Sequence, residues 1–255
     1  MTPDPADHTQ RFSGRAAEYA QARPGYPEGV ITNLQRAGAL PPGAAVADIG
    51  SGTGISSRLF AEAGCRVFAV EPNPAMHAEA ARAGHEGITI IDGSAEATTL
   101  ADASVDLVAA AQALHWFDAG RAAAEFARIL RPGGWITVFW NTRDQGATPF
   151  MLELEELIRR FGTDYERVHH EKLPQATLET VMPRERRHLE LPNRQVLDRA
   201  GLRARLLSAS YLPRAGTAEA DAMLNEADEL FDRHAEGDVV TIIYRVDQYL
   251  GRPAA

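Results

Sequence analysis

The stretch that most constrains the fold is Val46–Gly54, with the sequence VADIGSGTG. An apolar run with an acid near its end passes directly into a glycine-rich turn, and the residues Ile55–Ala63 that follow favour a helix closed by Gly64. A strand, a glycine turn and a helix in this order form a ligand-binding corner with backbone N–H groups exposed at the helix start. The spacing is G-x-G-x-G, which differs from the G-x-G-x-x-G of dinucleotide sites.

Asp48 stands two residues before Gly50 and narrows the choice of ligand. A carboxylate at that position repels a pyrophosphate but attracts a ligand that carries an ammonium group. We therefore predict a site for a zwitterionic or cationic nucleoside, with S-adenosylmethionine as the candidate cofactor. A glycine-rich turn is common, so the prediction depends on the acid as much as on the glycines.

Composition excludes several functional classes. The 255 residues are 45% hydrophobic and 24% charged, as expected for one globular domain with a substantial core. The net charge of −9 argues against nucleic acid as the main partner, because phosphate binding needs a basic face. The one dense basic cluster (Arg184, Arg186 and Arg187) is interpreted as a solvated face.

The cellular setting follows from what the sequence lacks. Cys65 is the single cysteine, so no internal disulfide is possible, and its apolar surroundings predict a buried thiol. Met1–Gln10 is polar and does not resemble a signal peptide, and no apolar run is long enough to span a membrane. We expect a cytoplasmic monomer or homodimer with neither membrane nor nucleic-acid partners.

An alternation of strand and helix patterns occupies the first half of the chain. The predicted strands are Ala45–Ile49, Arg66–Val70, Ile88–Ile91, Val105–Ala111 and Trp135–Trp140. The predicted helices between them are Ile55–Ala63, Ala75–Ala83 and Ala119–Leu130, the last ended by the turn Arg131–Gly134. Repeated β-α units with apolar strands predict an α/β fold with a doubly wound, parallel sheet and ligands at the strand carboxyl ends.

The flanking segments have a different pattern. Before the sheet we predict a helix over Arg11–Gln21, a turn over Ala22–Pro27 and a helix over Glu28–Gly38. After it we predict helices over Thr148–Phe161, Gln195–Leu207 and Ala218–Ala235, and strands over His188–Leu191 and Val239–Tyr244. The chain is thus expected to be one domain over residues 1–255. Its parts are an N-terminal lid (8–32), a cofactor-binding core (33–142), a helical cap with the sixth-strand region (143–235), and a final strand and tail (236–255).

Polar residues follow the second and third predicted strands. Glu71 ends the second strand, where an acid can accept hydrogen bonds from ribose hydroxyls, although a solvated acid would fit there too. Pro72 stiffens the turn after it, and Met76 either packs against a base or belongs to the core. Asp92–Glu96 follows the third strand; it could border an adenine, with Gly93 allowing close approach, or could be a polar turn.

The fourth predicted strand leads into Gln112–Phe117, which holds a histidine and two aromatic residues. His115 beside Trp116 at a strand carboxyl end would lie at the reactive centre. The alternative is a structural histidine, and the residues alone leave both readings open.

The order of these segments resembles class I S-adenosylmethionine-dependent methyltransferases. Arg23–Pro27, Leu114–Phe117 and Ser208–Tyr211 narrow the resemblance to a small-molecule branch that includes trans-aconitate-methyltransferase-like proteins. The resemblance covers nearly the whole chain. It implies a Rossmann-like, mostly parallel seven-stranded sheet, an N-terminal lid, and a mainly helical cap inserted after the fifth strand.

The resemblance also implies roles for individual residues, with S-adenosylmethionine as the cofactor and no metal. The residues implied at the cofactor are Tyr19, Arg23, Asp48, Gly50, Ser51, Gly52, Glu71, Pro72, Met76, Gly93, Ser94, Ala95, Glu96, Gln112 and His115. Asp48 would orient the ammonium, Glu71 the ribose, and Gln112 and His115 the methionine and sulfonium end. Many relatives carry Asp where this chain has Ser94, so adenine recognition would rely on Asp92 or on the backbone.

Methyl transfer from a sulfonium needs mainly proximity, orientation and exclusion of water. A general base is needed only if the acceptor atom carries a proton, and His115 is the candidate. The tentative acceptor residues are Tyr26, Trp116, Trp140 and Arg143. The aromatic residues suggest a planar or apolar acceptor, whereas Arg23 and Arg143 suggest a carboxylate; the methylated atom is expected to be O or N.

Three alternative functions compete with this interpretation. A nicotinamide-dependent oxidoreductase is disfavoured by Asp48 and by the glycine spacing. A nucleic-acid methyltransferase is disfavoured because the fourth strand is followed by Gln112–Trp116 rather than an Asn-Pro-Pro-Tyr-like motif. A cofactor-binding regulatory or partner protein without catalysis stays open, because methyl transfer has no obligatory catalytic residue.

Overall fold

The computed structural model describes residues 22–163 and 175–254, which form a seven-stranded sheet in the order β3-β2-β1-β4-β5-β7-β6. The strands are β1 (Ala45–Ile49), β2 (Arg66–Val70), β3 (Ile88–Ile91), β4 (Val105–Ala111), β5 (Leu130–Arg143), β6 (Arg184–Leu197) and β7 (Val240–Arg252). All neighbours from β3 to β5 pair in parallel, whereas β7 runs antiparallel to both β5 and β6. The predicted seven-stranded, mostly parallel sheet is confirmed, with β1 to β4 at the predicted bounds.

Helices cover both faces of the sheet. They are α1 (Gly29–Arg36), α2 (Ile55–Glu62), α3 (Pro74–Ala83), α4 (Ala119–Ile129), α5 (Pro149–Phe161), α6 (Gln175–Val181), α7 (Arg199–Leu207) and α8 (Ala218–His234). Every residue of β1 is buried, as expected for a central strand covered on both sides. A separate apolar cluster joins α5, α7 and α8 to the start of β7. None of the helices in the described ranges combines the length and apolar character needed to cross a membrane.

Strand β5 begins earlier than predicted. The expected turn Arg131–Gly134 lies within the strand, because Leu130 already pairs with Val105 before the ladder shifts register. Gly134 is tightly packed there: a Cβ on it would lie 2.7 Å from the Leu130 side chain and 3.1 Å from the Asp106 carbonyl oxygen. Residues 131–134 therefore belong to β5, where they form an irregular part of its pairing with β4, and do not form a separate turn before the strand.

The last third of the chain contains more strand than predicted. β6 continues through Leu197, so residues 195–197 belong to the strand, and α7 begins only after Asp198, whose Oδ1 accepts a hydrogen bond from the Gly201 N–H at 2.7 Å. Pro192 interrupts the sequence pattern, but an edge strand tolerates a proline because one side of its ladder is unpaired. In the basic cluster Arg184 and Arg187 are exposed, while Arg186 lies 3.4 Å from Glu179.

The described part of the predicted lid lies against the carboxyl end of the sheet. The Gly25 carbonyl oxygen accepts hydrogen bonds from the side-chain amides of Asn141 on β5 (3.1 Å) and Asn193 on β6 (2.9 Å). The Tyr26 ring meets the Phe139 ring edge-on, with centroids 4.7 Å apart. The predicted helix Arg11–Gln21, including Tyr19, lies outside the described residues.

Candidate active site

Three glycines shape the turn between β1 and α2. Gly50, Gly52 and Gly54 have φ angles of 66°, 56° and 81°, a left-handed conformation that disfavours residues with a side chain. The N–H groups of Gly50 and Ser51 donate to the Val70 carbonyl at 2.8 and 3.2 Å, which ties the turn to β2. The turn is therefore fixed before any ligand binds.

The glycines differ in what surrounds them. A Cβ on Gly50 would lie 2.8 Å from the Ala113 Cβ and 3.3 Å from the Phe117 ring, so this turn packs directly against the turn after β4. A Cβ on Gly52 would meet nothing within 4 Å. Gly50 thus permits close packing between two turns, whereas Gly52 faces open space.

Asp48 is a fully buried acid beneath this turn, with 0% exposure. Its Oδ2 accepts hydrogen bonds from the hydroxyls of Ser56 (2.7 Å) and Ser57 (2.6 Å). Its Oδ1 is buried and has no hydrogen-bond partner among the described residues. Burial raises the pKa of Asp48 to about 6; the two serine hydrogen bonds oppose the shift and the charge of Glu71 adds to it.

Glu71 is a second buried acid on the same corner, with 8% exposure. Its Oε2 accepts from the Gly52 N–H and its Oε1 from the Asn73 N–H, both at 2.9 Å. Burial raises the pKa of Glu71, and these backbone hydrogen bonds partly offset that rise. Each carboxylate oxygen can accept a further hydrogen bond, so Glu71 is held in place with acceptor capacity left over.

The residues after Glu71 lead into α3. Asn73 caps this helix by accepting hydrogen bonds on Oδ1 from the N–H groups of Ala75 (2.8 Å) and Met76 (3.3 Å). Pro72 is exposed and Met76 is 4% exposed. The cofactor roles of Pro72 and Met76 stay predictions.

The loop after β3 is bonded mainly to itself and to α4. Ser94 N–H donates to the Ala97 carbonyl at 3.1 Å, and the Glu96 carboxylate accepts from the Asp118 N–H at 2.9 Å. A Cβ on Gly93 would lie 2.9 Å from the Thr98 carbonyl oxygen, so the loop itself requires this glycine. Ala95 is buried. The adenine-binding role of the loop stays a prediction, since the observed contacts fit a packed turn as well.

Sequence reasoning missed the residues that anchor this loop. The N–H and hydroxyl of buried Thr98 donate to Glu125 Oε1 at 2.8 and 2.6 Å, and Arg128 binds the same carboxylate. The Arg128 hydrogen bonds, with those of Thr98, lower the pKa of Glu125 to about 2. Thr98 and Glu125 are 27 positions apart, so no local pattern could have joined them.

The turn after β4 carries the predicted reactive-centre residues. Gln112 has a φ of 58°, which is uncommon outside glycine; its N–H donates to the Phe139 carbonyl (3.0 Å) and its side chain to the Asn141 carbonyl (3.3 Å). His115 and Trp116 occupy a single helical turn with ring centroids 4.4 Å apart. The turn is thus anchored to β5. Like the glycine corner, it lies at the carboxyl end of the parallel strands.

The structure separates the predicted acceptor residues. Trp140 is 8% exposed and packs in the cluster that contains Leu178, on one face of the sheet. Arg143 follows three positions later on the alternate face, where its guanidinium donates to the Tyr211 hydroxyl (3.1 Å) and to Glu155 (3.3 Å). Arg23 donates to the Ser208 carbonyl at 3.2 Å. Arg23 and Arg143 therefore converge near Tyr211, whereas Trp140 lies elsewhere and its acceptor role stays a prediction.

A separate cluster lies on the β6–β7 surface. His188, Glu190 and Asp247 offer ligand atoms within 4.8 Å of one another, a spacing compatible with a metal ion. Arg245 lies 3.2 Å from Asp247 and 3.6 Å from Glu190, so a guanidinium already neutralises these acids. We interpret the cluster as a surface ion-pair network.

Comparison with known proteins agrees with this geometry. Residues 47–138 match the family model described as a methyltransferase domain. An uncharacterized methyltransferase of Mycobacterium tuberculosis is 40% identical over 162 residues, which is 64% of this chain and 64% of the relative. A malonyl-[acyl-carrier protein] O-methyltransferase of Methylococcus capsulatus is 36% identical over 112 residues, 42% of this chain and 40% of that protein. The chain thus matches less than two thirds of the length of these curated relatives.

Solved structures share the fold over most of the chain. A candidate type II methyltransferase from Anaeromyxobacter dehalogenans has a TM-score of 0.64 and 24% identity, covering 90% of this chain and 97% of that one. Phosphoethanolamine N-methyltransferase 2 of Haemonchus contortus, in complex with phosphomonomethylethanolamine and S-adenosylhomocysteine, has a TM-score of 0.56 and 16% identity, covering 100% of this chain and 60% of that one. Residues 47–138 thus match a methyltransferase domain, and the chain is similar to class I S-adenosylmethionine-dependent methyltransferases in sequence and in strand order.

Proposed function

We propose that the chain transfers a methyl group from S-adenosylmethionine to an oxygen or nitrogen of a small-molecule acceptor, by in-line displacement. The observation that carries this proposal is the buried Asp48 carboxylate, whose Oδ1 has no partner among the described residues. An ionised carboxylate in such surroundings is costly unless a cation or donor reaches it. An ammonium group in the glycine corner supplies that partner.

The rest of the corner fits the remainder of the cofactor. Glu71 is held by two backbone N–H groups and retains lone pairs for ribose hydroxyls. The open space at Gly52 leaves room beside the backbone, and Gln112 and His115 lie at the neighbouring strand end. When bound, the sulfonium supplies an activated methyl group and a neutral leaving group.

The chain's own residues then have a limited set of tasks. The turns after β1 and β4 orient the two reactants and exclude water from between them. His115 accepts a proton where the acceptor atom carries one; where the acceptor is an ionised carboxylate, no base is needed.

Two observations favour a carboxylate among the acceptor groups. Arg23 and Arg143 lie together near Tyr211 at the carboxyl end of β5, and arginine is well suited to bind carboxylates. One relative is an O-methyltransferase named for malonyl-[acyl-carrier protein]. We therefore place small acids first among the candidate acceptors.

Calorimetric titration of the purified protein with S-adenosylhomocysteine tests the cofactor site, with NADH as the competing ligand. We expect S-adenosylhomocysteine to bind and NADH not to bind. Glu71→Gln is expected to weaken binding by roughly tenfold to a hundredfold through loss of charged hydrogen bonds. Glu79→Gln is the matched control, because Glu79 lies on α3 and bonds only to Arg82 in the described contacts.

The outcomes separate the alternatives. Absence of S-adenosylhomocysteine binding would refute the proposal, and NADH binding would favour an oxidoreductase. Cofactor binding with no labelled methyl group transferred to small acids or heteroaromatic metabolites would favour a non-catalytic, cofactor-binding protein.

A further inference from the structure

Glu125 is a buried acid on α4 that joins two parts of the chain, with 9% exposure. Its carboxylate accepts hydrogen bonds from the Arg128 guanidinium, one helical turn further on, at 2.7 and 2.8 Å. The N–H and hydroxyl of Thr98 donate to its Oε1 at 2.8 and 2.6 Å. Hydrogen bonds to a charged acceptor are among the stronger ones in proteins, so Thr98 is held firmly against α4.

Thr98 closes the loop after β3, and the start of that loop packs against it. A Cβ on Gly93 would lie 2.9 Å from the Thr98 carbonyl oxygen and 3.1 Å from the Ala97 carbonyl oxygen. Within the loop, the backbones of Ser94 and Ala97 exchange two hydrogen bonds, at 3.1 and 3.2 Å. A shift of Thr98 would therefore move residues 93–97 together.

Two further contacts join this segment to α4. The Arg128 carbonyl oxygen accepts a hydrogen bond from the Ala103 N–H at 3.0 Å, beyond the loop. The Glu96 carboxylate accepts from the Asp118 N–H at 2.9 Å, but this contact is exposed to solvent. Glu125 thus supplies a buried connection between the loop and the helix, and Arg128 orients it.

The loop begins beside Glu71, the acid that we assign to the ribose. The carbonyl oxygen of Ile91, the last residue of β3, accepts a hydrogen bond from the Glu71 N–H at 3.1 Å. Residues 92–97 therefore start at the carboxyl edge of the sheet, where ligands bind in folds of this type. Since the base of a nucleoside is attached to its ribose, the loop is placed to meet the base.

The side chains of this loop have few groups left for a base. The Ser94 hydroxyl already accepts from the Glu96 N–H at 3.3 Å, and Ala95 has no polar side chain. Asp92 and the loop backbone are the groups that remain. Their positions depend on the conformation of the loop, and hence on the contact that fixes it to α4.

We propose that Glu125 is a positioning residue for the base of the cofactor: it holds Thr98, and through Thr98 the loop of residues 92–97, in the conformation that distinguishes adenine from other bases. The assignment of this loop to adenine rests on the proposed function. Glu125 acts through the loop and not by contacting the base. Its loss should therefore change which base is accepted, as well as the stability of the protein.

Calorimetric titration of the full chain with S-adenosylhomocysteine and with S-inosylhomocysteine tests the proposal. The second ligand carries an oxygen in place of the 6-amino group of adenine. We expect the wild type to prefer S-adenosylhomocysteine by at least about tenfold, because the wrong base leaves hydrogen-bonding groups unpaired. In Glu125→Gln we expect S-adenosylhomocysteine to bind about tenfold more weakly and the preference to fall below about threefold.

Asp106→Asn is the matched control. Asp106 accepts hydrogen bonds from the Arg131 guanidinium and from the Ala45 N–H, all at 2.8 Å, so it has the same kinds of donor as Glu125. It is the second residue of β4 and lies at the amino edge of the parallel strands, away from the proposed cofactor. We expect D106N to lower the unfolding temperature and to keep the wild-type preference between the two bases.

Thr98 provides a second test should E125Q not fold. Thr98→Val removes the hydroxyl donor but keeps the backbone N–H and the shape of the side chain, whereas Thr98→Ser keeps the hydroxyl. We expect T98V to lose several-fold of the base preference and T98S to retain it. 5′-Methylthioadenosine lacks the amino-acid part of the cofactor. In T98V and E125Q its affinity should fall by the same factor as that of S-adenosylhomocysteine, because the loop acts on the base.

Three results would overturn the positioning role. They are equal affinity of the wild type for the two homocysteine ligands, a base preference in E125Q that equals that of the wild type, and loss of the preference in D106N as well. An E125Q protein that is less stable but keeps the preference has lost a purely structural contact. Failure of the proposed function gives a different pattern, in which the wild type binds none of the three nucleosides.

Discussion

The glycine corner and the basic region around Tyr211 are opposite in charge and in origin. The corner buries two acids, Asp48 in β1 and Glu71 directly after β2. The basic region gathers Arg143, Arg205 and Tyr211 from β5, α7 and the loop after it. Adjacent strands build the first region, whereas segments far apart in the sequence build the second.

The two regions also differ in rigidity of construction. Backbone hydrogen bonds and left-handed glycines fix the corner, whereas long side chains from separate elements build the basic region. Substitutions in the corner should therefore lower the free energy of unfolding more, and should also weaken cofactor binding.

The largest effect is expected for Gly50→Ala. The left-handed conformation costs an alanine roughly 1–2 kcal/mol, and the 2.8 Å approach to the Ala113 Cβ adds a steric term of similar size. We expect the free energy of unfolding, measured with urea, to fall by about 3 kcal/mol, together with loss of S-adenosylhomocysteine binding.

Gly43→Ala is the matched control, because Gly43 has a φ of 70° but no atom within 4 Å of an added Cβ. Its expected cost is about 1 kcal/mol. If both variants lose the same free energy of unfolding, the contact between the turns after β1 and β4 is not tight. The glycine corner would then not be the more rigid of the two regions.

Asp48→Asn should stabilise the ligand-free protein while weakening cofactor binding. Since the pKa of Asp48 is raised from 3.8 to about 6, the folded wild type binds the proton more tightly than the unfolded chain. Wild-type stability should therefore decline as pH rises from about 4 to about 6, by up to about 3 kcal/mol, and the variant should lack this decline. S-adenosylhomocysteine affinity in the wild type should rise over the same interval.

Asp102→Asn is the control for this comparison, because Asp102 is exposed and bonds to Arg128. It should change unfolding and binding little at any pH. If D48N binds S-adenosylhomocysteine as tightly as the wild type at pH 8, Asp48 does not serve the ammonium group.

Glu155→Gln tests the basic region in the same way. Removing this acid breaks its pair with Arg143, whose side chain is 11% exposed. We expect a loss of about 2 kcal/mol in the free energy of unfolding. Glu153→Gln on the same helix breaks exposed pairs with Arg233 and His234 and should lower the free energy of unfolding less than Glu155→Gln does.

A reversed order of these two costs would show that the charge near Tyr211 is not effectively buried. The two regions would then differ in how deeply their charged groups are buried, as well as in the sign of the charge.

The smallest effect is expected for His115→Ala. Because the leaving group is already activated, we expect turnover to fall by about tenfold, about 1.4 kcal/mol in the barrier, with S-adenosylhomocysteine affinity nearly unchanged. His85→Ala, at an exposed position before β3, is the control. Equal losses of turnover and affinity would assign His115 to binding and not to proton transfer.

The sequence predicts a structural feature well when the residues that determine it are close together in the chain. β1 to β4 were predicted to the residue because each is a short apolar run bounded by turn residues. The extent of β6 was missed because an edge strand carries polar residues and Pro192 without penalty. Among site residues, Asp48 and Glu71 follow from motif spacing, whereas the Thr98–Glu125 pair that anchors the loop after β3 depends on a contact between distant segments.

The shared carbonyl of Gly25 has a consequence for how such proteins can be recombined. Asn141 and Asn193 both bind it, so the segment around residue 25, the end of β5 and the middle of β6 form one interlocked unit. A chimera that exchanges the region after β5 between relatives would need to carry the N-terminal segment with it. Positions 25, 141 and 193 are therefore expected to be inherited together, although 168 positions separate the first from the last.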